Sequence, residues 1–565
     1  MSSRFLPLSP DEPGAAKAGE YDVILVSGDA YIDHPTFGPA IIGRVLEAAG
    51  YRVGIIAQPD VRDPQSIAIF GKPRLFFGIT AGNLDSLVAN YTSFLRRRSD
   101  DPFSAGGQAG ARPDRAVIVY SNLIRRVFKD TPLVIGGLEA SMRRVAHYDY
   151  WSNRVRRSII EDTRAAILVY GMGERQVEEI AGRLATGQAL DGIPGTVVMS
   201  KLAPDGAVVL PAEEDVMHSP EALVHFYKLF YLNQAQLMAQ PTGGRFLVHY
   251  PADDRFSTAD LDRVYGLPFQ RRPHPAYRQE IPAFAMICCS VTAHRGCVSG
   301  CSFCALGLHQ GKKIIGRSPG SVLREVQEIA RQSYFKGQIT DIGGPAANMY
   351  GFSCRKNWQC RRESCLFPKL CPSLNLDGEK WLDLLQRASR VKGVVKVTVG
   401  SGLRHDLLMR APGAEKLFEI LVRSHISGQL KIAPEHTSPQ VLQAMRKIPL
   451  SPLEDFIAFF KRLNVKAGKK QYLLPYLMSC HPGTGLKEMR EMKAEIKSLF
   501  GFIPEQVQAF LPLPMTLSSI IYYTGIDPLT GRAYPVERDM TRRRQQHQVF
   551  FEDNMPGPNR SARSG

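Results

Sequence analysis

Three cysteines, Cys297, Cys301 and Cys304, stand close together in the stretch "HRGCVSGCSFCALG", with glycines at 296 and 300. Their spacing is C-x3-C-x2-C. Thiolates so spaced hold zinc or an iron–sulfur cluster, and closed sites of either kind usually take four protein ligands. Three ligands leave one position open, as catalytic metal sites do to admit a substrate. The two glycines would let the loop backbone wrap closely round a bulky group. Spacing alone admits a zinc knuckle, a cluster or neither.

A second group, Cys354, Cys360, Cys365 and Cys371, lies in "CRKNWQCRRESCLFPKLC". Four thiolates suit a second [4Fe-4S] cluster or a structural zinc ion. Flanking Arg355, Lys356, Arg361 and Arg362 would offset their charge or grip a phosphate backbone. The competing reading is a loop of free thiols, although thiols this dense on a surface would be prone to oxidation. Cys288 and Cys289 fall in an apolar run and read as packing residues; Cys480, beside His481, is left open. All of the ten cysteines except Cys480 lie between positions 288 and 371. The N-terminus lacks an apolar secretory core, and no run reaches eighteen apolar residues. A cytoplasmic protein without a membrane span is expected, in which cysteines serve as ligands rather than disulfides.

The elements that must position these groups follow from the hydrophobic pattern. At 565 residues the chain is too long for one core. Residues 21–57 read as strand, loop, amphipathic helix, a stop at Gly50 and a second strand, which is a βαβ unit. "RLFFGITAG", "PLVIGGLEA" and "AAILVYGMGERQVEEIAGRL" continue the alternation. This predicts an α/β fold that begins with a doubly wound parallel-sheet domain over 1–195. Residues 101–115 read as a loop, and 196–280 as a mixed helical connector with a helix at 221–239. From 281 alternation resumes, with strands expected at 283–291, 337–342, 394–399, 429–433, 471–477 and 506–510. A partial (β/α)6 barrel over 281–530 is predicted, carrying a Cys-rich insert at 351–375. Residues 531–565 form a tail, with 553–565 expected to be disordered.

In this context the cysteine triad resembles the cluster loop of radical S-adenosylmethionine (SAM) enzymes, with aromatic Phe303 before the last cysteine and a barrel's first strand before the loop. The resemblance implies that Cys297, Cys301 and Cys304 hold a [4Fe-4S] cluster whose open iron is chelated by the amino and carboxylate groups of SAM. Cleavage of SAM to methionine and a 5′-deoxyadenosyl radical, followed by hydrogen abstraction from a substrate, is then the expected activity. A low-potential reductant such as flavodoxin or ferredoxin is implied as partner. By the same resemblance, Gly343, Gly344 and Pro345 in "ITDIGGPAANMY" would receive the SAM amino group, and Phe303 would steady its adenine. Ser401 and Arg404 in "VTVGSGLRHD", with Glu435 and neighbouring His436 in "KIAPEHTSP", would contact its ribose or carboxylate. Taken singly, Gly-Gly pairs and a lone serine are ordinary turn residues. Six strand ends behind one cysteine triad make the set specific. No residue is nominated as a general base or radical relay.

The stretches "VSGDAYIDHPTFG", "AHYDYWSNRVRRSI", "GGPAANMY" and "IYYTGIDPLTG" further resemble the YgiQ-type, UPF0313-like radical SAM family over about residues 5–550. That resemblance implies cofactor and fold but carries no reaction. The N-terminal domain is similar to the cobalamin-binding-like domain that precedes many radical SAM cores. Cobalt–histidine enzymes use D-x-H-x-x-G, whereas here Asp33 directly precedes His34 and Gly38 follows four residues later, so cobalamin is not expected. "RRVAHYDYWSNRVRRSI" (143–159) reads either as a base-stacking surface or as a segment that packs against the barrel. A net charge of +17, with basic runs at Arg96, Arg97, Arg98 and Arg542, Arg543, Arg544, fits solvated helix ends or an RNA partner. Three functions stay open. The lead is a radical SAM enzyme that modifies RNA or protein. The others are a non-catalytic iron–sulfur or zinc nucleic-acid-binding protein, and a cobalamin-dependent radical SAM methylase.

Overall fold

Every residue of the first strand, β1 (Val23–Ser27), is buried, as a β-branched run covered on both faces by helices should be. The computed structural model describes residues 4–447 and 449–554. β1 pairs in parallel with β2 (Val53–Ala57) on one side and β3 (Phe76–Thr80) on the other. Beyond β3 come β4 (Leu133–Ile135) and β5 (Ile167–Val169), also parallel. Helix α1 (Gly38–Ala48) joins β1 to β2 and ends before Gly50, whose positive φ of 93° turns the chain back. Helix α2 (Ala116–Val127) precedes β4; the short α3 (Gly137–Ser141) and α4 (Glu174–Ala185) follow β4 and β5.

The segment expected to be a mixed helical connector instead widens this sheet. β6 (Thr196–Ser200), β7 (Val208–Val209), β8 (Met238–Thr242) and β9 (Arg245–His249) give nine strands in the order β7-β8-β9-β6-β5-β4-β3-β1-β2. β6 and β9 run antiparallel to their neighbours. The helix expected at 221–239 is α5 (Pro220–Leu232); Asn233 ends it, and Met238 begins β8. Period-3.6 apolar spacing runs on past Asn233, but pairing with β9 wins for the last residues.

In the second half the strand expected at 283–291 is mostly helix: α6 (Pro282–Ile287) precedes a short β10 (Ser290–Thr292). Pro282 occupies the first helical turn, where a missing N–H costs nothing. Cys288 and Cys289 therefore sit at a helix end, half-buried, with their sulfurs 3.8 Å apart. Helices α7 (Leu306–Gln310) and α8 (Pro319–Ala330) lead to β11 (Gln338–Ile339) and β12 (Asp341–Gly343). Next come α9 (Glu379–Ala388), β13 (Lys396–Val397), β14 (Gln429–Glu435), α10 (Leu453–Ala467), β15 (Tyr472–Ser479), α11 (Leu486–Phe500) and β16 (Val507–Ala509). The pairings are parallel: β10 with β12, β11 with β13, β14 with β15, and β15 with β16. A parallel bridge from Leu403 to Ile432 links the region after β13 to β14. The tail expected to be disordered lies outside the described residues from 555 onward. Among the described residues no helix is long and apolar enough to cross a membrane.

Buried ion pairs join the halves. Arg295, just before the cysteine loop, meets Glu174 of α4 at 2.6 Å, and Arg271 meets Glu325 of α8 at 2.6 Å. Removing one partner of such a pair strands a buried charge, at about 3–5 kcal/mol. The 143–159 segment packs in the same way. His147–Asp149 and Arg154–Arg156 form a hairpin, Tyr148 stacks on Tyr523 with centroids 4.7 Å apart, and Arg144 lies over the Tyr170 ring. Tyr148 and Tyr150 are buried against Tyr522 and Tyr523 of α12 (Leu517–Thr524) and are not free to stack on bases, while Trp151 is half-buried beside Tyr150.

Candidate active site

Two left-handed glycines shape the loop between β10 and α7. Gly296 has φ +90° and Gly300 φ +62°. A Cβ on Gly296 would overlap the Lys313 carbonyl oxygen, and one on Gly300 would lie 2.7 Å from Cβ of Ser364. The loop is tied down by its own backbone: Cys297 N–H donates to Gly311 O at 3.1 Å and Cys304 N–H to Cys301 O at 3.2 Å. Behind it, Ser302 Oγ lies 2.7 Å from Ser518 Oγ, which lies 2.7 Å from His481 Nε2. Burial pushes His481 down to about 3, so the ring is neutral.

The Cys301 and Cys304 thiols feel the charges of their neighbours. Burial raises the Cys301 thiol, while Lys447 and Arg404 oppose that rise, and the Cys297 and Glu435 charges are also felt there. Burial pushes Cys304 up to about 12, and Cys301 and Cys297 push it in the same direction. Thiols so held stay protonated unless a cation takes the proton's place. Among the described residues, no group of three or more His, Cys, Asp or Glu side chains is drawn together tightly enough to hold a metal ion. The donor set still suits an iron–sulfur cluster: three thiols on one glycine-shaped loop, with two buried cations to offset thiolate charge.

The other sequence-predicted residues lie at the ends of the succeeding strands. Asp341, absent from the sequence reading, organises two of them. Its Oδ1 accepts from Gly400 N (2.8 Å), Ser401 N (3.0 Å) and Ser401 Oγ (3.1 Å). Burial raises the Asp341 carboxyl, and these bonds pull it back. Gly343 and Gly344 are required by close approach: a Cβ would lie 2.7 Å from Ser401 Oγ in the first case and 2.5 Å from the His294 ring in the second. Pro345 follows directly in the same turn. Arg404 is buried and forked onto Asp406, at 2.9 and 2.6 Å, with its third nitrogen 2.9 Å from Ser299 Oγ in the cysteine loop. Asp406 thereby keeps Arg404 charged and is itself held well below the carboxylate range. Glu435 sits at the end of β14 with φ +69°, uncommon outside glycine, and pairs with Lys447 at 2.8 Å. His436 is buried and pushed down to about 3. Phe303 is half-buried, edge-on to His481 with centroids 6.1 Å apart.

Asp341, Asp406 and His294 had a sequence signal, each standing within four residues of a predicted ligand. Lys447 had none.

The insert supports the loop directly. Cys365 N–H donates to Val298 O at 3.0 Å, and Ser364 Oγ donates to Ser299 O at 2.5 Å. Cys365 is buried, whereas Cys354, Cys360 and Cys371 are half-buried. Lys312 Nζ lies 3.1 Å from Cys360 Sγ, and a backbone bond from Arg362 together with Lys312 pulls that thiol's proton affinity down against its burial. Cys480, with φ +64°, points its sulfur at Arg543 O, 3.1 Å away, and turns from the cysteine triad.

Residues 5–290 match the family described as Radical SAM N-terminal. The chain is 44% identical to a UPF0313 protein of Methanocella arvoryzae, over 95% of this chain and 91% of that one. The chain belongs to this radical SAM family. It is a radical SAM enzyme, and the family carries SAM and [4Fe-4S] binding with it. A UPF0313 protein of Geobacter sulfurreducens is 45% identical over 97% of this chain and 92% of its own. Among solved structures, the radical SAM methyltransferase TsrM of Kitasatospora setae, with cobalamin and a [4Fe-4S] cluster bound, is similar in fold. It is 16% identical, with a TM-score of 0.53, over 88% of this chain and 77% of that one.

Proposed function

We propose that Cys297, Cys301 and Cys304 hold the [4Fe-4S] cluster of this radical SAM enzyme, and that β10 to β16 are the staves of a partial (β/α)6 barrel whose mouth receives SAM. One observation carries the reading. Arg404 and Lys447, reached from the ends of different strands, face the cysteine loop: Arg404 donates to Ser299 Oγ at 2.9 Å, and both cations oppose the rise that burial gives the Cys301 thiol. A cluster with SAM bound would supply one-electron cleavage of SAM and a hydrogen-abstracting radical. The chain's own residues do the rest. Gly343 and Gly344 leave room for the SAM amino group beside Pro345. Ser401, oriented by Asp341, and Glu435, held by Lys447, offer polar contacts to ribose and amino group. Arg404 faces the carboxylate, and Phe303 backs the adenine.

His34 is not suited to ligate cobalt in a cavity at this sheet. Its ring is fully buried, bonded through Nδ1 to Thr36 Oγ1 at 2.9 Å, and does not line the cavity at the carboxyl ends of β1 and β3. The exposed Arg96, Arg97 and Arg98, with the net charge of +17, support an anionic macromolecule such as RNA as the substrate.

Anaerobic reconstitution and reduction should yield 5′-deoxyadenosine from SAM, and Cys301→Ala should abolish it while the nine-stranded sheet stays folded by circular dichroism. Wild type with a full cluster and no spectroscopic response to SAM would overturn the assignment of residues. Deuterium transfer into 5′-deoxyadenosine from labelled RNA or protein identifies the substrate.

A further inference from the structure

The Cys-rich insert is clasped at its ends. Ser353–Cys354 pairs antiparallel with Leu374–Asn375, and Arg355 N–H donates to Ser373 O at 2.8 Å. Inside that clasp the backbone ties the cysteines to one another. Cys371 N–H donates to Cys365 O at 2.7 Å, and Leu374, the strand partner of Cys354, donates to Cys371 O at 3.1 Å. Cys354, Cys365 and Cys371 thus share one knot. Lys312 anchors Cys360 to the frame of the triad loop: its Nζ lies 3.1 Å from the Cys360 sulfur, 3.0 Å from the Cys360 carbonyl oxygen, and also bonds Arg362 O.

The knot is strained and its thiols are close. Between Cys354 and Cys360 the chain turns through two successive left-handed residues that are not glycine, Asn357 at φ +48° and Trp358 at φ +66°. A bulky residue in that region is a genuine outlier, and it persists only where its surroundings hold it. All four cysteines are free thiols, Cys365 buried and the others half-buried. Burial raises the Cys365 thiol, and Cys371, Cys360 and Cys354 each stand near enough for their charges to push it the same way, against Lys312. Four thiols brought together repel once ionised, unless a cation binds them. The apolar wall here, with Phe352, Leu366 and Leu374, also packs against Cys297 and Val298 of the triad loop.

Four thiolates close a site, either a tetrahedral zinc ion or a [4Fe-4S] cluster. Two features favour the cluster. Zinc knuckles place about two to four residues between paired cysteines, whereas the intervals here are five, four and five. Zinc bonds of about 2.3 Å also draw the sulfurs to about 3.8 Å from one another, the edge of the tetrahedron. Among the described residues no cysteine group is gathered for a single ion, the triad included, and a cubane holds its thiolates on a wider frame. We propose that Cys354, Cys360, Cys365 and Cys371 hold a second [4Fe-4S] cluster. All four irons are bound by the protein, so this cluster has no position for SAM. Lys312 donates to the Cys360 thiolate, a hydrogen bond of the kind that tunes cluster potential. Cys365 N–H donates to Val298 O at 3.0 Å, which makes the two clusters neighbours. No triad thiol is a ligand, so the site does not depend on the triad's assignment.

Iron, sulfide and zinc counts on the full chain after anaerobic reconstitution test this. Wild type should carry about eight irons and about eight sulfides per chain, without stoichiometric zinc. Cys354→Ser with Cys360→Ser should keep about four of each and still respond spectroscopically to SAM. Cys301→Ala should also keep about four of each, with no response to SAM. If the double serine variant lowers the melting temperature, electron paramagnetic resonance of the reduced wild type decides: two signals are expected, and SAM should shift one of them. Iron in Cys301→Ala beside a wild type blind to SAM would sink the triad's assignment and leave this one standing. About four irons in a wild type that responds to SAM, a single cluster signal, one zinc per chain lost in the serine variant, or an unchanged iron count in that variant when folded would each overturn the proposal.

Discussion

Replacing Gly296 by alanine should empty the cysteine loop of iron and leave the rest of the chain folded. At φ +90° an L-residue is strained by about 1–3 kcal/mol. The new methyl would also overlap the Lys313 carbonyl, which belongs to backbone and cannot swing aside. Relieving the overlap must pry apart the antiparallel contact of His294–Arg295 with Ile315–Gly316. The bonds from Gly296 N–H to Gln310 and from Cys297 N–H to Gly311, each 3.1 Å, are then at risk. At about 1 kcal/mol each, the total is roughly 3–5 kcal/mol, so the cluster-ready loop is disfavoured by about a hundredfold or more. Iron and sulfide per chain after anaerobic reconstitution give the readout, with urea unfolding as the check on the remainder. Gly307→Ala is the control. Gly307 lies in α7 with open space about its Cβ position, so alanine should be neutral or stabilising by about 0.5–1 kcal/mol. A Gly296→Ala protein that reconstitutes like wild type, or a Gly307→Ala protein that also loses iron, would refute the reasoning.

Asp406→Asn should leave Arg404 buried without its counter-charge, lowering unfolding stability by about 3–5 kcal/mol and weakening SAM binding; urea melts and spectroscopic SAM titration read both. Asp341→Asn removes the charge that accepts three hydrogen bonds from Gly400 and Ser401, and should weaken SAM binding about tenfold with iron content unchanged. Glu161, beside Glu213 and sharing Thr242 Oγ1 with it, is raised to about 7, first by its burial and then by Glu213. A carboxyl raised on folding favours the native state below its unfolded value near 4.5, and the advantage is lost as pH rises through 7. Glu161→Gln should therefore melt higher than wild type at pH 8, by about 1–2 kcal/mol after allowing for solvent screening, with the difference gone below about pH 5. An equal difference at both pH values would exclude that carboxyl as the cause.

Much of the chemistry was local and therefore legible. The C-x3-C-x2-C spacing, the flanking glycines and the Gly343-Gly344 turn are properties of a few adjacent residues, and the structure assigns those glycines to positive φ or close approach. The βαβ rhythm of the first 195 residues was legible too, because buried parallel strands are continuous apolar runs between amphipathic helices. Where the reading failed, non-local pairing decided. β6 to β9 are short and partly polar, and they become strands only because neighbouring strands, antiparallel except in the β7–β8 pair, complete their hydrogen bonds. The helix at Pro282 outcompeted an apolar strand pattern that periodicity cannot distinguish from helix over so short a run. The 143–159 segment, balanced between base stacking and packing by its residue types, was decided by the aromatic helix α12, some 370 residues further on.

By itself the sequence determined which side chains could bear thiolate and phosphate chemistry and where the backbone had to lack a Cβ. Only the tertiary structure decided which charges face them. Arg404 and Lys447 act on Cys301, and Arg295 meets Glu174 across 121 residues of chain. Such convergence is set by how strand ends meet in space, and spacing along the chain does not encode it.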